Sequence, residues 1–262
     1  MGYLIEEIVI MIFIGTFAGL IGSMVGVGGG IVISPALTFI GLMPAQISST
    51  SLIPVSFTSL SSTIAYSRQR KINYSVGVKI ALFAIPGAAI GAVLSSDLPL
   101  GQFKLCFAII LFLTGVYLWI RNRFRRKGTD NEIGSFKNKR TREIILAIGG
   151  LGAGIISSLF GIGGGIIFVP LMLLILDVSM STAAATSQLS LLITSAVGNL
   201  VHISLGHPEY LPAIFLSLGS VVGAQIGANL SKKVTDTILV RLFSISVVVV
   251  AVKLFVDSLP SL

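Results

Sequence analysis

GVGGGIVISP, residues Gly26 to Pro35, is written a second time as GIGGGIIFVP, residues Gly161 to Pro170. Glycine in a helix interior costs roughly 1 kcal/mol relative to alanine, so a helical chain that carries such a run is interrupted there. Both runs lie in apolar surroundings. Neither is a nucleotide loop, because Ile31 and Ile166 stand where GxGxxG needs its last glycine and no Gly-Lys-Ser/Thr follows.

Outward from these runs the chain is apolar almost throughout. Of its 262 residues 54% are hydrophobic and 11% charged, with a mean hydropathy of +0.98. That balance excludes an ordinary soluble domain and implies an all-α integral membrane protein. Apolar stretches of about 20 residues, enough to cross a hydrocarbon core of about 30 Å, run at Tyr3–Met24, Ser48–Ser67, Val76–Ser95, Phe103–Ile120, Glu143–Phe160, Thr182–Leu205, Leu211–Leu230 and Thr237–Val256. Glu6 and Glu7 stand where a signal peptide carries lysine or arginine, so the first stretch reads as a permanent span. Cys106, the single cysteine, reads as a packing residue; a disulfide within the chain is excluded.

The net charge of +8 does not indicate nucleic acid, since nine of the 18 lysines and arginines fall between Arg121 and Arg142. There the apolar pattern stops, and Gly128 and Gly134 loosen the chain, as in a solvated linker. Residues 1–121 form a first repeat, 122–141 a basic linker and 142–262 a second repeat. The positive-inside rule places the linker in the cytoplasm of a multi-pass cell-membrane protein.

A shift of 135 residues aligns Gly15 with Gly150, Gly19 with Gly154, Ser23 with Ser158 and Pro35 with Pro170. After a one-residue slip, a shift of 136 aligns Thr50 and Ser51 with Thr186 and Ser187, Thr58 with Thr194, and Gly87 and Gly91 with Gly223 and Gly227. The chain is a duplicated bundle. The loop around Arg68, Arg70 and Lys71 is basic while its partner, Gly206 to Glu209, has no lysine or arginine; Lys232 and Lys233 face a partner loop without positive charge. This alternation predicts repeats of inverted topology. Inversion requires an odd number of crossings per half, so the short apolar pieces Ile31–Met43 and Ile166–Leu176 count as short or broken helices. Each half then has five elements, and both termini lie outside; the alternative is a re-entrant hairpin with eight full crossings.

A helix that starts at Gly30 or Gly165 exposes backbone amides that no preceding turn satisfies, at several kcal/mol each in hydrocarbon. Gly28, Gly29 and Gly30, with Gly163, Gly164 and Gly165, let consecutive amides point into one concavity where the helix dipole adds positive potential. Such a nest suits a small anion. The competing reading, close packing through small residues, applies to the glycine runs and more strongly to Gly87/Gly91 and Gly223/Gly227. Thr50, Ser51, Thr186, Ser187 and Gln188 follow the short helices, either as caps bonded to their own backbone or as neutral donors for an anion. Asn199 and His202 share a helix face; they read as an interhelical hydrogen-bonding pair or as contacts for a coupling proton or substrate. His202 and His207 are too few for a metal centre, and no cofactor is expected.

With the paired signatures GVGGGIVISP and GIGGGIIFVP, each followed by Thr-Ser at Thr50-Ser51 and Thr186-Ser187, the chain resembles the sulfite exporter TauE/SafE family along essentially its whole length. The resemblance implies a permease for small, often sulfur-containing anions such as sulfite and organosulfonates. The halves differ where Ser34 meets Val169 and Leu52 meets Gln188, so the pocket is expected to be asymmetric. The expectation is a secondary transporter that holds its anion at the paired breaks, Ser34 included, and alternates access within the lipid bilayer. No ATP-binding motif is present, which leaves an ion gradient, a proton's among them, or the substrate's own gradient as the energy source. An anion channel built on the same helix ends is the first rival and a membrane-embedded enzyme the second, the latter without G-x-S-x-G, H-E-x-x-H or a cluster of intramembrane carboxylates.

Overall fold

The computed structural model describes residues 5–125, 139–176 and 178–258. Its elements are helices: α1 (Ile5–Val25), α2 (Gly30–Phe39), α3 (Pro44–Arg68), α4 (Tyr74–Leu94), α5 (Leu100–Arg125), α6 (Lys139–Phe160), α7 (Gly165–Ile175), α8 (Met180–Ser204), α9 (Tyr210–Leu230) and α10 (Asp236–Ser258). Local chemistry sets several of the starts. Pro44 opens α3, where its missing N–H is no loss. The Asn73 side chain caps α4 at the Val76 amide, and Ser179 caps α8 at the Thr182 amide. The centre of the linker, residues 126–138, lies outside the described residues.

The pieces after the glycine runs are the short helices α2 and α7, of 10 and 11 residues. At 1.5 Å per residue each is about half as long as a full span needs. Five described helices have the length and apolarity to cross a membrane: α1, α4, Arg140–Phe160 of α6, α8 and α9. The expected eight apolar spans thus include α3, α5 and α10, which fall below that measure. Leu100–Val116 of α5 and Val247–Val256 of α10 are shorter apolar pieces. α3 is long, but eleven of its 25 residues are serine or threonine. It tolerates them because it is inside: Ser48, Ser49, Thr50, Ser51, Thr58, Ser59 and Ser62 are all fully buried. The outer faces are apolar instead, with Phe13, Ile148, Leu200, Leu218 and Val249 exposed as lipid requires.

Contacts between helices survive exchange of the halves. α1 packs along α9 as α6 packs along α4, α3 meets α9 as α8 meets α4, and the pairs α3·α8 and α5·α10 map onto themselves. Glycines set the closest approaches. A Cβ at Gly219, Gly223 or Gly227 would overlap the backbone of Ile12, Thr16 and Leu20, and one at Gly87 or Gly91 would overlap that of Leu151 and Ile155. In lipid, where apolar burial drives little association, such backbone proximity holds helices together. Rising numbers on α1 match rising numbers on α9, and likewise α4 on α6, so these pairs run parallel.

The central pair runs the other way. Asn199 Nδ2 on α8 donates to the Leu52 carbonyl at 3.3 Å, and Ser56 Oγ donates to Ser195 Oγ at 2.8 Å. Equivalent helices of the two halves, α3 and α8, are therefore antiparallel. Gln69 Nε2 donates to the Ala228 carbonyl at 3.0 Å and the Tyr66 hydroxyl oxygen lies 3.1 Å from Ser231 Oγ, which gathers the Arg68–Lys71 and Lys232–Lys233 loops at one end. Lys79 pairs with Glu143 at 2.8 Å on an exposed surface between α4 and α6. Cys106 sits exposed on α5, so the packing role expected of it is corrected: its apolar run is an outward helix face.

Candidate functional site

Each glycine run makes the same sequence of left-handed turns. Gly26, Gly28 and Gly29 have φ of 86°, 79° and 84°; Gly161, Gly163 and Gly164 have 69°, 90° and 80°. A side chain at such φ is strained, which is the local reason for glycine. The amides of Gly26, Val27 and Gly28 all converge on the Gly22 carbonyl at 3.0, 2.8 and 3.2 Å, which turns the chain sharply off the end of α1.

The runs then cross. A Cβ on Gly30 would overlap the Gly161 carbonyl and the Ile162 Cα, and one on Gly165 would overlap the Gly26 carbonyl and the Val27 Cα. The first residue of each short helix thus rests on the loop that precedes the other. Within each helix the Gly29 and Gly164 carbonyls accept the first turn's bonds, from Val32 and Ile33 and from Ile167 and Phe168. The amides of Gly29, Gly30 and Ile31, and of Gly164, Gly165 and Ile166, have no acceptor among the described residues. All six residues are buried.

Side chains from the central helices hold the crossing. Ser51 Oγ donates to the Gly161 carbonyl at 2.8 Å and Ser187 Oγ to that of Gly26 at 2.6 Å, one bond repeated under exchange of the halves. Ser34 Oγ donates to the Phe160 carbonyl at 2.8 Å and lies 3.0 Å from Ser51 Oγ. Val169 offers no such hydroxyl in the second half. There Gln188 Nε2 donates to the Gly22 carbonyl at 2.9 Å, at a place where the first half has Leu52.

The structure therefore brings Gly28 to Gly30, Gly163 to Gly165, Ser34, Ser51, Ser187 and Gln188 together, with the hydroxyls directed at backbone carbonyls. Thr50 and Thr186 are elsewhere. Thr50 Oγ1 accepts from the Glu209 amide and Thr186 Oγ1 from the Asn73 amide, each at 3.0 Å, which ties a loop at either end of the bundle. Asn199 Nδ2 lies 2.8 Å from Ser56 Oγ, and its Oδ1 is buried without a partner. His202 is fully buried nearer the end of α8, with Nε2 at 3.1 Å from the Ser158 carbonyl.

Three residues escaped the sequence reading. Val55 and Leu191 each touch the space beside both Gly28 and Gly163, and cover the crossing with an apolar plug. Ser59 Oγ borders Gly28 and is buried with no partner. Val55 and Leu191 are equivalent at the 136-residue shift, and that pairing was the signal available. The interior polar set consists of serine, threonine, glutamine and histidine, with no buried lysine, arginine, aspartate or glutamate among the described residues. Nor do those residues include a group of three or more metal-ligating side chains.

An apolar exterior, a hydroxyl-lined centre and two helix breaks that meet midway along α3 and α8 define a polytopic helical membrane protein built around an interior polar locus. A profile of the sulfite exporter TauE/SafE family matches residues 11–254, and the chain belongs to that family of membrane transporters. It is 30% identical over 268 residues to the probable membrane transporter protein YunE of Bacillus subtilis, covering 96% of this chain and 98% of that one. The probable membrane transporter protein YdhB of the same organism is 29% identical, covering 88% and 92%. The probable membrane transporter protein MJ0441 of Methanocaldococcus jannaschii is 24% identical, covering 86% and 87%. No solved structure matches.

Proposed function

We propose that the protein is a secondary transporter of a small anion, sulfite or another sulfur oxyanion or organosulfonate, held at the crossed glycine runs and passed across the membrane by alternating access. One observation carries the reading: two sets of buried amides, Gly29 to Ile31 and Gly164 to Ile166, lack acceptors at the place where two helix N-termini meet. Donors of that kind cost several kcal/mol each unless something accepts from them, and the positive ends of α2 and α7 favour a negative solute. With no buried lysine or arginine among the described residues, the attraction is built from dipoles, which permits release as well as capture. The sulfur-containing substrate class comes from the family's name.

The antiparallel course of α3 and α8 supports repeats inverted across the membrane, with α2 and α7 counted as crossings. The basic loops at one end, together with the linker, are then cytoplasmic, and the end that holds Glu209 and Ser96 faces outward. Ser34, Ser51, Ser187 and Gln188 fix the glycine carbonyls so that the amides point inward; Thr50 and Thr186 anchor the loops that must move. The Val55–Leu191 plug favours a carrier over an open channel. Thermal unfolding of purified protein with sulfite, thiosulfate, sulfate, methanesulfonate and small carboxylates tests the reading, because a ligand at 100 times its Kd adds about 2.7 kcal/mol. A rise with sulfur oxyanions or sulfonates is expected. A rise with carboxylates alone, or with none of these anions, overturns it.

A further inference from the structure

At the outward end of α8 two imidazoles face each other. His202 Nδ1 and His207 Nδ1 are 3.1 Å apart, His202 Nε2 is 3.1 Å from the Ser158 carbonyl, and His207 Nε2 is 3.2 Å from Ser96 Oγ. Hydrogen-bond chemistry fixes the protons along this row. A carbonyl only accepts, so His202 Nε2 carries a hydrogen. A neutral His202 then has a bare Nδ1, and His207 Nδ1 must be the donor to it. His207 Nε2 is bare in turn and accepts from the Ser96 hydroxyl.

We propose that Ser96, His207 and His202 form a proton wire from the outward face to the end of α6, and that the proton it carries travels with the anion. This second clause rests on the transport reading above. The steps balance: a proton from the aqueous side binds His207 Nε2, the hydrogen on His207 Nδ1 passes to His202 Nδ1, and the positive charge moves from the half-buried ring to the buried one. His202 then holds both hydrogens and still donates to the Ser158 carbonyl. That carbonyl lies in the last turn of α6, where the dipole favours a cation, and three residues before Gly161. Eleven residues of α8, about 16 Å at 1.5 Å per residue, separate His202 from Leu191 at the crossing, so the cation attracts an anion held there through the intervening protein rather than by contact.

The other half lacks the device. At the matching positions Tyr66 donates its hydroxyl to the Ser23 carbonyl at 2.9 Å, and Lys71 stands where His207 does. The backbone turn is nevertheless the same, since the Lys71 amide donates to the Tyr66 carbonyl as His207 donates to that of His202, and Arg70 and Gly206 both have positive φ. The wire is a difference in side chains laid on a shared frame. Charged residues adjoining it in sequence are Asp97 beside Ser96 and Glu209 two residues after His207, and α5, the helix that follows Ser96, carries Lys104 near its start; the turns of α3, α6 and α8 that meet here contribute none besides the histidines. Neither Asp97 nor Glu209 comes within ion-pair distance of either ring among the described residues.

The test uses full-length protein labelled with 15N-histidine in nanodiscs, with His207→Gln to assign the signals. Above the titration point, His202 is expected to carry its hydrogen on Nε2 and His207 on Nδ1, and acidification should shift both rings in one shared event. In proteoliposomes, uptake of methanesulfonate, which has no titrating proton of its own in this range, should fall about tenfold per pH unit above that point. In His207→Gln the profile should be flat. Two rings that both rest as Nε2–H tautomers or titrate independently, or a His207→Gln profile like the wild type's, would overturn the inference. The stated tautomers and shared titration without any methanesulfonate flux would uphold the wire and count against the transport reading alone.

Discussion

Gly30 opens α2 against the carbonyl of Gly161, and Gly165 opens α7 against the carbonyl of Gly26. Because the obstructing atoms are backbone, no rotamer change can make room for a methyl group. Gly30→Ala and Gly165→Ala are each expected to cost about 1–3 kcal/mol or more through overpacking, read as a fall in the melting temperature in detergent. Gly41→Ala is the control: its φ is 82°, but nothing lies within 4 Å of the added carbon. Its cost should stay near 1 kcal/mol. Equal losses at Gly30 and Gly41 would mean that the runs do not press on each other.

Removal of the hydroxyl from Ser187 leaves the buried Gly26 carbonyl without a side-chain donor, and removal from Ser51 leaves the Gly161 carbonyl only the long contact from Ser34 Oγ at 3.4 Å. The expected cost is about 1–3 kcal/mol for each alanine variant. Exchange of the halves predicts similar values for the two, measured by thermal unfolding under identical conditions. A loss confined to one of them would show that the crossing is held from one side.

The plug over the crossing predicts a functional effect with the opposite sign to its structural one. Val55→Ala and Leu191→Ala should destabilise the fold, the leucine change by about 2–5 kcal/mol. Both should raise uncoupled anion leak in proteoliposomes. A double variant that folds and leaks no faster than wild type would remove Val55 and Leu191 from any gating role.

Partial burial of His207 gives stability a pH dependence whose sign follows from desolvation. Desolvation lowers its pKa from the ordinary 6.5, so the unfolded chain takes up a proton more readily than the folded protein. The His207 contribution is therefore complete above pH 6.5, declines as the pH falls from there through the folded value, and levels off below it. Melting temperatures across that window should drop on acidification, and His207→Gln should flatten the curve. A wild-type curve that climbs toward acid would reverse the assignment.

Much of the architecture was legible because the repeat is written in punctuation rather than in overall similarity. Gly26 to Gly30 and Gly161 to Gly165 marked where helices must stop, whereas the starts at Pro44 and Asn73 lay three or four residues ahead of the apolar stretches and were set by local caps that apolar length does not reveal. Five of the membrane helices were also plain from their apolar length; α5 and α10 carry only shorter apolar pieces, and α3 earns its place by burial among its neighbours rather than by hydropathy. The site was legible in part. Residue type identified Ser51 and Ser187, but a hydroxyl's type does not say whether it points at a solute or at a carbonyl, and the carbonyls were supplied by the opposite half. Val55 and Leu191 carry no chemical signal at all, since their role comes from position over a crossing that only the folded chain creates. His207 was dismissed with metal centres, because its partner Ser96 lies 111 residues away in sequence.

Interchangeability of the halves bears on the energetics of any motion about the crossing. If one half tips against the other to open one mouth, swapping their roles describes opening of the opposite mouth, and a perfectly symmetric chain would make those two conformers degenerate. Neither would then be a trap, and solute gradients alone would set the direction of net flow. Positions that would break such degeneracy, and so give a rocking chain its resting preference, include Ser34 against Val169, Leu52 against Gln188 and Tyr66 against His202.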